Sequence, residues 1–308
     1  MELNSREPEL ADRFSRQYLD TLTRSLPKKH RTYGFEYEFL PESMLGMADM
    51  ARLDRFLQKI GGDKIGGSHV FENGMRVMFE PGGQIEYCSP PLLPENVERF
   101  DFLLAFIKNV NAMIQDSLGI NYLAVGYLPG RSNFPLCLRS ARYLQLHKRL
   151  SKSGTRGHEM MKGTASIHLH VSISNLEELI PLFYFLCELS QSQSFRMLEE
   201  RRNIWQHTDP TRCGLPPCCM EELDSPTQLI NRLVRYALQA VVLGEQIPFE
   251  QSSDRSFSAF LYHMTTIFTD IRFNLKGPTL ELRTLDSVSI DKFRVKWLEF
   301  IALTKVVG

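Results

Sequence analysis

Four short segments of the chain repeat one arrangement: a polar pair at positions i and i+2, with apolar residues on either side. In residues 33–39 Glu36 and Glu38 alternate with Phe35, Tyr37 and Phe39, and in residues 84–88 Gln84 and Glu86 alternate with Ile85 and Tyr87. In residues 164–173 His168 and His170 alternate with Ile167, Leu169 and Val171, and in residues 279–285 Glu281 and Arg283 alternate with Leu280 and Leu282. Successive side chains of a strand point to opposite faces, so each pair shares one face and its apolar neighbours share the other. Four such strands predict a sheet with an apolar face on a core and a polar face opposite.

The intervening sequence decides how those strands are joined. Helical periodicity covers residues 8–26, stopped by Pro27, and recurs at about 49–60, 94–118, 139–152, 176–200, 226–242 and 289–304. Asn73-Gly74 and Gly82-Gly83 mark tight turns in a meander over residues 68–88, and further strand candidates lie at 120–127 and 270–275. The glycines at 82 and 83 are expected to let backbone approach a ligand. Hairpins and separated single strands, without regular strand–helix–strand units, predict an α+β fold with a largely antiparallel sheet. With no repeat and no Gly/Ser/Pro-rich linker, the expectation is an N-terminal helical segment over 1–30 and one domain over 31–308.

Charge and cysteine content exclude several classes. Lys plus Arg equals Asp plus Glu, 36 each, so nothing asks for nucleic acid or an anionic membrane as partner. The first ten residues, MELNSREPEL, lack the apolar core of a signal peptide, and LIPLFYFL at 179–186 is too short to span a bilayer. Six cysteines at irregular spacing (88, 137, 187, 213, 218, 219) read as reduced thiols, which gives the expectation of a soluble cytoplasmic protein.

Most catalytic strings are missing. There is no phosphate loop of the GxxxxGKS type, no GxGxxG and no GxSxG; His158-Glu159 continues Met-Met-Lys, without the second zinc-protease histidine. Cys213, Cys218 and Cys219 near His207 match no standard zinc spacing. The polar face is therefore the candidate site, and two readings of it stand. It is a solvated face, or it holds a divalent cation, because four carboxylates with two imidazoles and no lysine repel one another. Carboxylate oxygens suit Mg²⁺ or Mn²⁺, with histidine more at home on Mn²⁺. A second cluster is basic: Arg201-Arg202 and Arg212, with Arg131, Arg139 and Arg142 as further members. Guanidinium forks suit carboxylates and phosphates. Cations and arginines together are what a nucleoside triphosphate needs where no phosphate loop exists.

The strings FEYEF, EPGGQIEYCSPP, MMKGTASIHLHVS, RRNIWQHTDPTRCGLP and TLELRTLDS, in that order over roughly residues 33–290, resemble the type 2 glutamate–cysteine ligase family. That family includes plant and bacterial enzymes and related carboxylate–amine ligases, with a fold akin to the catalytic part of glutamine synthetase. The resemblance implies a curved antiparallel sheet whose concave polar face forms the active site, with helices on the other face. It implies metal ligands at Glu36, Glu38, Glu80, Glu86, His168 and Glu281, and a nucleotide or substrate contact at Gln84. Arg283 would contact phosphate and take part in catalysis, Arg212 would hold a substrate carboxylate or phosphate, and Arg202 of the basic cluster would contact the nucleotide. The implied reaction is glutamate plus cysteine plus ATP, through a γ-glutamyl phosphate, to γ-glutamylcysteine, a step of glutathione biosynthesis with Mg²⁺ or Mn²⁺ as cofactor. Two alternatives stand beside it: the same chemistry on another amine, and a non-catalytic metal- or nucleotide-binding relative. The chain is short for the family, so residues closing over the ligands are expected to be absent or supplied by another subunit. His170 stands where relatives commonly carry an amide.

Overall fold

A computed structural model describes residues 7–26, 29–275 and 277–307. In chain order the strands are β1 (Tyr33–Pro41), β2 (Asp63–Ile65), β3 (Ser68–Val70), β4 (Arg76–Phe79), β5 (Ile85–Cys88), β6 (Tyr122–Leu123), β7 (Ser166–Ser172), β8 (Cys213–Gly214), β9 (Phe268–Thr269), β10 (Ile271–Asn274) and β11 (Thr279–Asp286). The helices are α1 (Glu7–Arg24), α2 (Met47–Lys59), α3 (Val97–Leu118), α4 (Ala141–Ser153), α5 (Gly157–Gly163), α6 (Leu179–Gln191), α7 (Glu199–Gln206), α8 (Pro226–Gln239), α9 (Phe257–Met264) and α10 (Ile290–Lys305). Pro27, expected to stop the first helix, lies outside the described residues.

Strands β10, β11, β7, β1, β5, β4, β3 and β2 hydrogen-bond in that spatial order, with β6 paired to the end of β1. Among the described residues every pairing in this sheet is antiparallel, and only the two-residue strands β8 and β9 pair in parallel. The predicted α+β class with a largely antiparallel sheet therefore holds. Period 2 sends Phe35, Tyr37, Ile85, Tyr87, Ile167, Leu169, Val171, Leu280 and Leu282 to one face, all buried. Helices α3 and α10 cover that face with residues at helical spacing: Phe100, Leu103, Leu104 and Ile107 from α3, and Phe293, Trp297 and Phe300 from α10. Phe100 stacks on Trp297 at 4.7 Å, and Phe35 meets Phe293 edge-on at 5.2 Å. Asn96 caps the start of α3 by accepting from the Arg99 N–H, and Gly119 ends it with φ +69°.

The polar face is covered as well. Helices α4, α5 and α7 lie over it with a second, smaller core of Leu146, Leu150, Met160, Met161, Ile204 and Trp205. This roof is where the sequence reading departs most from the structure. The helix expected over 176–200 is two, α6 and α7, because the chain turns after Gln191 to bury Phe195 and Met197. The basic, glycine-containing stretch between the expected helix 139–152 and the strand segment 164–173, for which no helix is expected, contains α5, whose Met160 and Met161 are buried in the roof. The strand expected over 120–127 is reduced to β6.

The cysteine reading is also corrected. Cys187 on α6 and Cys219 form a disulfide across 32 residues of sequence, their Cα atoms 5.9 Å apart, while Cys88, Cys137, Cys213 and Cys218 are free. Irregular spacing in sequence says nothing about thiols that folding brings together from an α6 turn and the short 3₁₀ turn Pro217–Met220. Among the described residues no helix is long and apolar enough to cross a membrane.

Candidate active site on the polar face

Strand register assembles the polar pairs into rows. Arg272 on β10 lies opposite Glu281 on β11, and Glu281 lies opposite His170 on β7. In the next row His168 pairs with Glu36 on β1, and Glu36 with Cys88 on β5. In the third, Glu38 lies opposite Glu86. Between Leu282 and Leu285 the β7–β11 register shifts, so Arg283 and Thr284 share the stretch facing His168. This bulge keeps Leu282 and Leu285 both on the buried side while re-aiming Arg283 over the polar face.

The rows close into one hydrogen-bonded layer. His168 Nδ1 lies 2.6 Å from Glu36 Oε2, and its Nε2 lies 2.7 Å from Ser166 Oγ. The Ser166 N–H donates to Glu38 Oε2 at 2.7 Å, and the Cys88 thiol donates to Glu86 Oε1 at 2.9 Å. Arg272 donates to both oxygens of Glu281, at 2.9 and 3.1 Å, and Arg283 Nη1 donates to Oε1 of the same carboxylate. Above this layer is a cavity of about 230 Å³, floored by Glu36, Glu38, Glu86 and His168 and roofed by Arg142, Tyr143, Leu146, Met161 and Trp205.

Electrostatics divides the carboxylates. Burial alone would raise Glu36, but the hydrogen bond from His168 and then the nearby His170 imidazole outweigh it and hold its carboxyl well below the usual range. Glu281 is likewise buried, yet Arg272 and Arg283 bring it down to about 2. Glu80 goes the other way, pushed up to about 8 by burial and then by the charge of Glu38. Glu86 is also raised well above normal, by burial and then by Glu36 and Glu80. Burial first, then Glu86 and Glu36, raises the Cys88 thiol, so it is a protonated donor rather than a nucleophile. The floor thus carries more carboxylates than it can ionise unaided.

That surplus is what a divalent cation would relieve, and the donor set fits one. Glu36 has ligand atoms within 4.8 Å of those of Glu86 and Cys88 on one side, and of His170 and Glu281 on the other. His170 Nε2, 3.6 Å from Glu36 Oε1, is buried without a hydrogen-bond partner among the described residues. Oxygen with imidazole nitrogen suits Mg²⁺ or Mn²⁺; the sulfur of Cys88 is a softer donor.

Most of the residues picked out in sequence meet here. Glu36, Glu38, Glu80, Gln84, Glu86, His168 and Arg283 line the cavity, and Glu281 sits fully buried just beneath it. Gln84 is already committed: its carbonyl accepts from the Gly82 N–H at 2.8 Å, and its amide donates to Met161 O and Thr164 O on the roof side. Gly82 is also spoken for, since a Cβ there would lie 2.6 Å from Lys162 Cα; the backbone approaches α5, not a ligand.

Arg212 and Arg202 are not brought to the cavity lining. Arg212 is fully buried on Asp209 Oδ2 at 2.9 Å and on the Thr266 and Val241 carbonyls. Arg202 pairs with Asp270 at 2.8 Å, and its neighbour Arg201 with Asp286 at 2.5 Å. Their helix and loop belong to the roof's own core, which a basic string in sequence does not reveal. Arg272 was missed, although its signal was the same as the others: Arg272 and Asn274 alternate with Ile271 and Phe273. Tyr143 and Trp205 gave no signal that separates a cavity wall from a core.

Comparison with known proteins now bears on this geometry. Residues 32–190 match the family described as Glutamate-cysteine ligase family 2. The chloroplastic glutamate–cysteine ligase of Arabidopsis thaliana is 24% identical over 299 aligned positions, covering 84% of this chain and 55% of that protein. The Medicago truncatula chloroplastic enzyme is 23% identical, covering 84% and 56%. The chain spans about half the length of the curated relatives it matches. A solved structure described as a novel glutamine synthase homologue aligns over 96% of this chain and 58% of its own, at 10% identity and a TM-score of 0.36, a likeness on which no argument rests. With just over half its length matched, including the strands that carry Glu36, Glu38, Glu86, His168 and His170, the chain belongs to glutamate–cysteine ligase family 2.

Proposed function

We propose that this protein is an ATP-dependent ligase joining the γ-carboxylate of L-glutamate to the amine of L-cysteine. One observation carries the reading: in a chain of this family, a carboxylate–imidazole floor and three guanidinium groups, Arg142, Arg272 and Arg283, meet in a single roofed cavity. The reaction runs in two steps. A γ-carboxylate oxygen attacks the terminal phosphorus of ATP, and the bond to the ADP oxygen breaks. The cysteine nitrogen then attacks the acyl carbon of the γ-glutamyl phosphate, and phosphate leaves. No protein nucleophile is required by these two steps.

A divalent cation held by Glu36 with Glu86, or with His170 and Glu281, would supply charge neutralisation for the triphosphate. The chain's own residues do the rest. Arg283, whose Nε is buried without a partner among the described residues and whose side chain lines the cavity, would take an oxygen of the transferred group. Tyr143, Met160, Met161 and Trp205 exclude water, which would otherwise hydrolyse an acyl phosphate.

The test is phosphate release from ATP in the presence of Mg²⁺ or Mn²⁺, with glutamate, cysteine, both, and a panel of other amines. Release should need glutamate and an amine together, with γ-glutamylcysteine identified by mass. Arg283→Ala should lower kcat by about 10²-fold or more. No release with any pair would overturn the ligase reading. Faster release with another amine would overturn the choice of cysteine alone, a point on which relatives 22–24% identical leave room.

A further inference from the structure

We propose that Arg272 binds phosphoryl oxygens of the nucleotide, as a second guanidinium beside Arg283; this rests on the ligase reading above. Arg272 belongs to none of the motif strings, and its place follows from register. It stands on β10 directly opposite Glu281, which stands opposite His170 and belongs to one of the two candidate cation groups. Two of its nitrogens grip both oxygens of Glu281, which fixes the plane of the guanidinium. Tyr18 of α1 holds this edge of the sheet, its ring 5.5 Å from Phe273 and its hydroxyl donating to the Phe273 carbonyl at 3.4 Å.

A plain counter-ion for a buried carboxylate would also look like a bidentate pair. Two facts separate the cases. Glu281 is fully buried, whereas the Arg272 side chain is 21% exposed and lines the cavity, so its open side faces the ligand space. Glu281 also has a second guanidinium on it, from Arg283, so one carboxylate serves two cations and Arg272 is not needed as its sole counter-ion. A substrate with several anionic oxygens is therefore drawn to the Arg272–Arg283 end. Two guanidiniums and a candidate cation group around one carboxylate match a polyphosphate better than a single amino-acid carboxylate.

The experiment uses the full chain and its Arg272→Gln and Arg272→Lys variants. Calorimetry in Mg²⁺ measures binding of a non-hydrolysable ATP analogue and, separately, of L-glutamate; thermal melting checks the fold, and steady-state kinetics completes the set. Arg272→Gln should weaken the analogue by about tenfold or more and lower kcat, with glutamate affinity within about twofold and Arg272→Lys intermediate. If Arg272→Gln does not fold, the Lys variant decides, because it keeps the charge but loses the fork. Unchanged analogue affinity and kcat in a folded variant would overturn the proposal, as would loss of glutamate affinity in place of nucleotide affinity. A wild-type protein that binds glutamate but no nucleotide would instead overturn the ligase reading from which the proposal starts.

Discussion

Replacing Glu80 by Gln should stabilise the fold, and by an amount that depends on pH. Glu80 lines the cavity at the turn after β4, within the field of Glu38 and Glu36, with Arg142 as a partial offset. Burial first, and Glu38 second, move its carboxyl from the ordinary 4.5 to about 8. A raised pKa means that the folded protein holds a proton which the unfolded chain gives up. Wild-type stability from this source is therefore intact below about pH 4.5, declines as pH rises, and levels off above about 8. At about 1.4 kcal/mol per pH unit the ceiling is about 5 kcal/mol. Water reaching the carboxyl through the cavity screens about half of that, leaving about 2 kcal/mol. Glutamine keeps the shape and does not titrate. Urea denaturation with a chelator present, at about pH 4.5 and about pH 8.5, should show the variant near wild type at the lower pH and about 2 kcal/mol more stable at the higher. Adding Mg²⁺ at the higher pH should narrow the gap, because a cation relieves in wild type what the substitution relieves in the variant. A difference that is the same at both pH values, or larger at the acidic one, would refute the placement of Glu80 in this cluster.

Two further predictions concern what holds the site together. Gln84→Ala should cost about 3–5 kcal/mol in urea melts, because it strands the Gly82 N–H and the Met161 and Thr164 carbonyls in a buried turn; a loss under about 1 kcal/mol would mean that the turn does not depend on this clamp. Reducing the Cys187–Cys219 disulfide, which closes a separation of 32 residues, should cost about 3–4 kcal/mol. A thiol count under denaturing conditions should rise from four to six on reduction, and six reactive thiols without reductant would refute the bond.

The fold was legible where local pattern and burial agree. Alternation alone placed β1, β5, β7 and β11, since in each the apolar set is buried and the polar set shares the other face. The long helices were legible for the same reason, α3 having both a capping Asn96 and a left-handed Gly119 to mark its ends. The roof was not. Helix α5 is only seven residues and begins after a Lys-Ser-Gly-Thr-Arg stretch that reads as loop; it is helical because Met160 and Met161 find Leu146, Leu150 and Trp205 to pack on. Neither the break between α6 and α7 nor the pairing of Cys187 with Cys219 has a local signal, because both are decided by partners distant in sequence.

The site was legible as a set of residue types but not as an arrangement of charges. Sequence suggested a floor short of cations, on the ground that the four strand pairs contain one arginine and no lysine. The structure gives that floor Arg272 from β10, and the difference changes what Glu281 does. A carboxylate gripped by Arg272 through both oxygens and by Arg283 through one is ionised at any pH the protein meets, and it fixes where both guanidiniums sit. Glu80 and Glu86 have no such partners and retain protons in consequence. Period 2 cannot separate these cases, because it assigns a face and not a neighbour. What separates them is the strand order, which sets β10 beside β11, and the bulge after Leu282, which turns Arg283 toward His168 while Leu285 stays in the core. The same order puts the protonated carboxyls on the β5 side and the two strand-borne guanidiniums, Arg272 and Arg283, on the β11 side, so the cavity floor is polar along its length. In the proposed reaction anionic phosphoryl groups would sit at the β11 end, and the neutral carboxyls at the other end are those that a cation would ionise on binding.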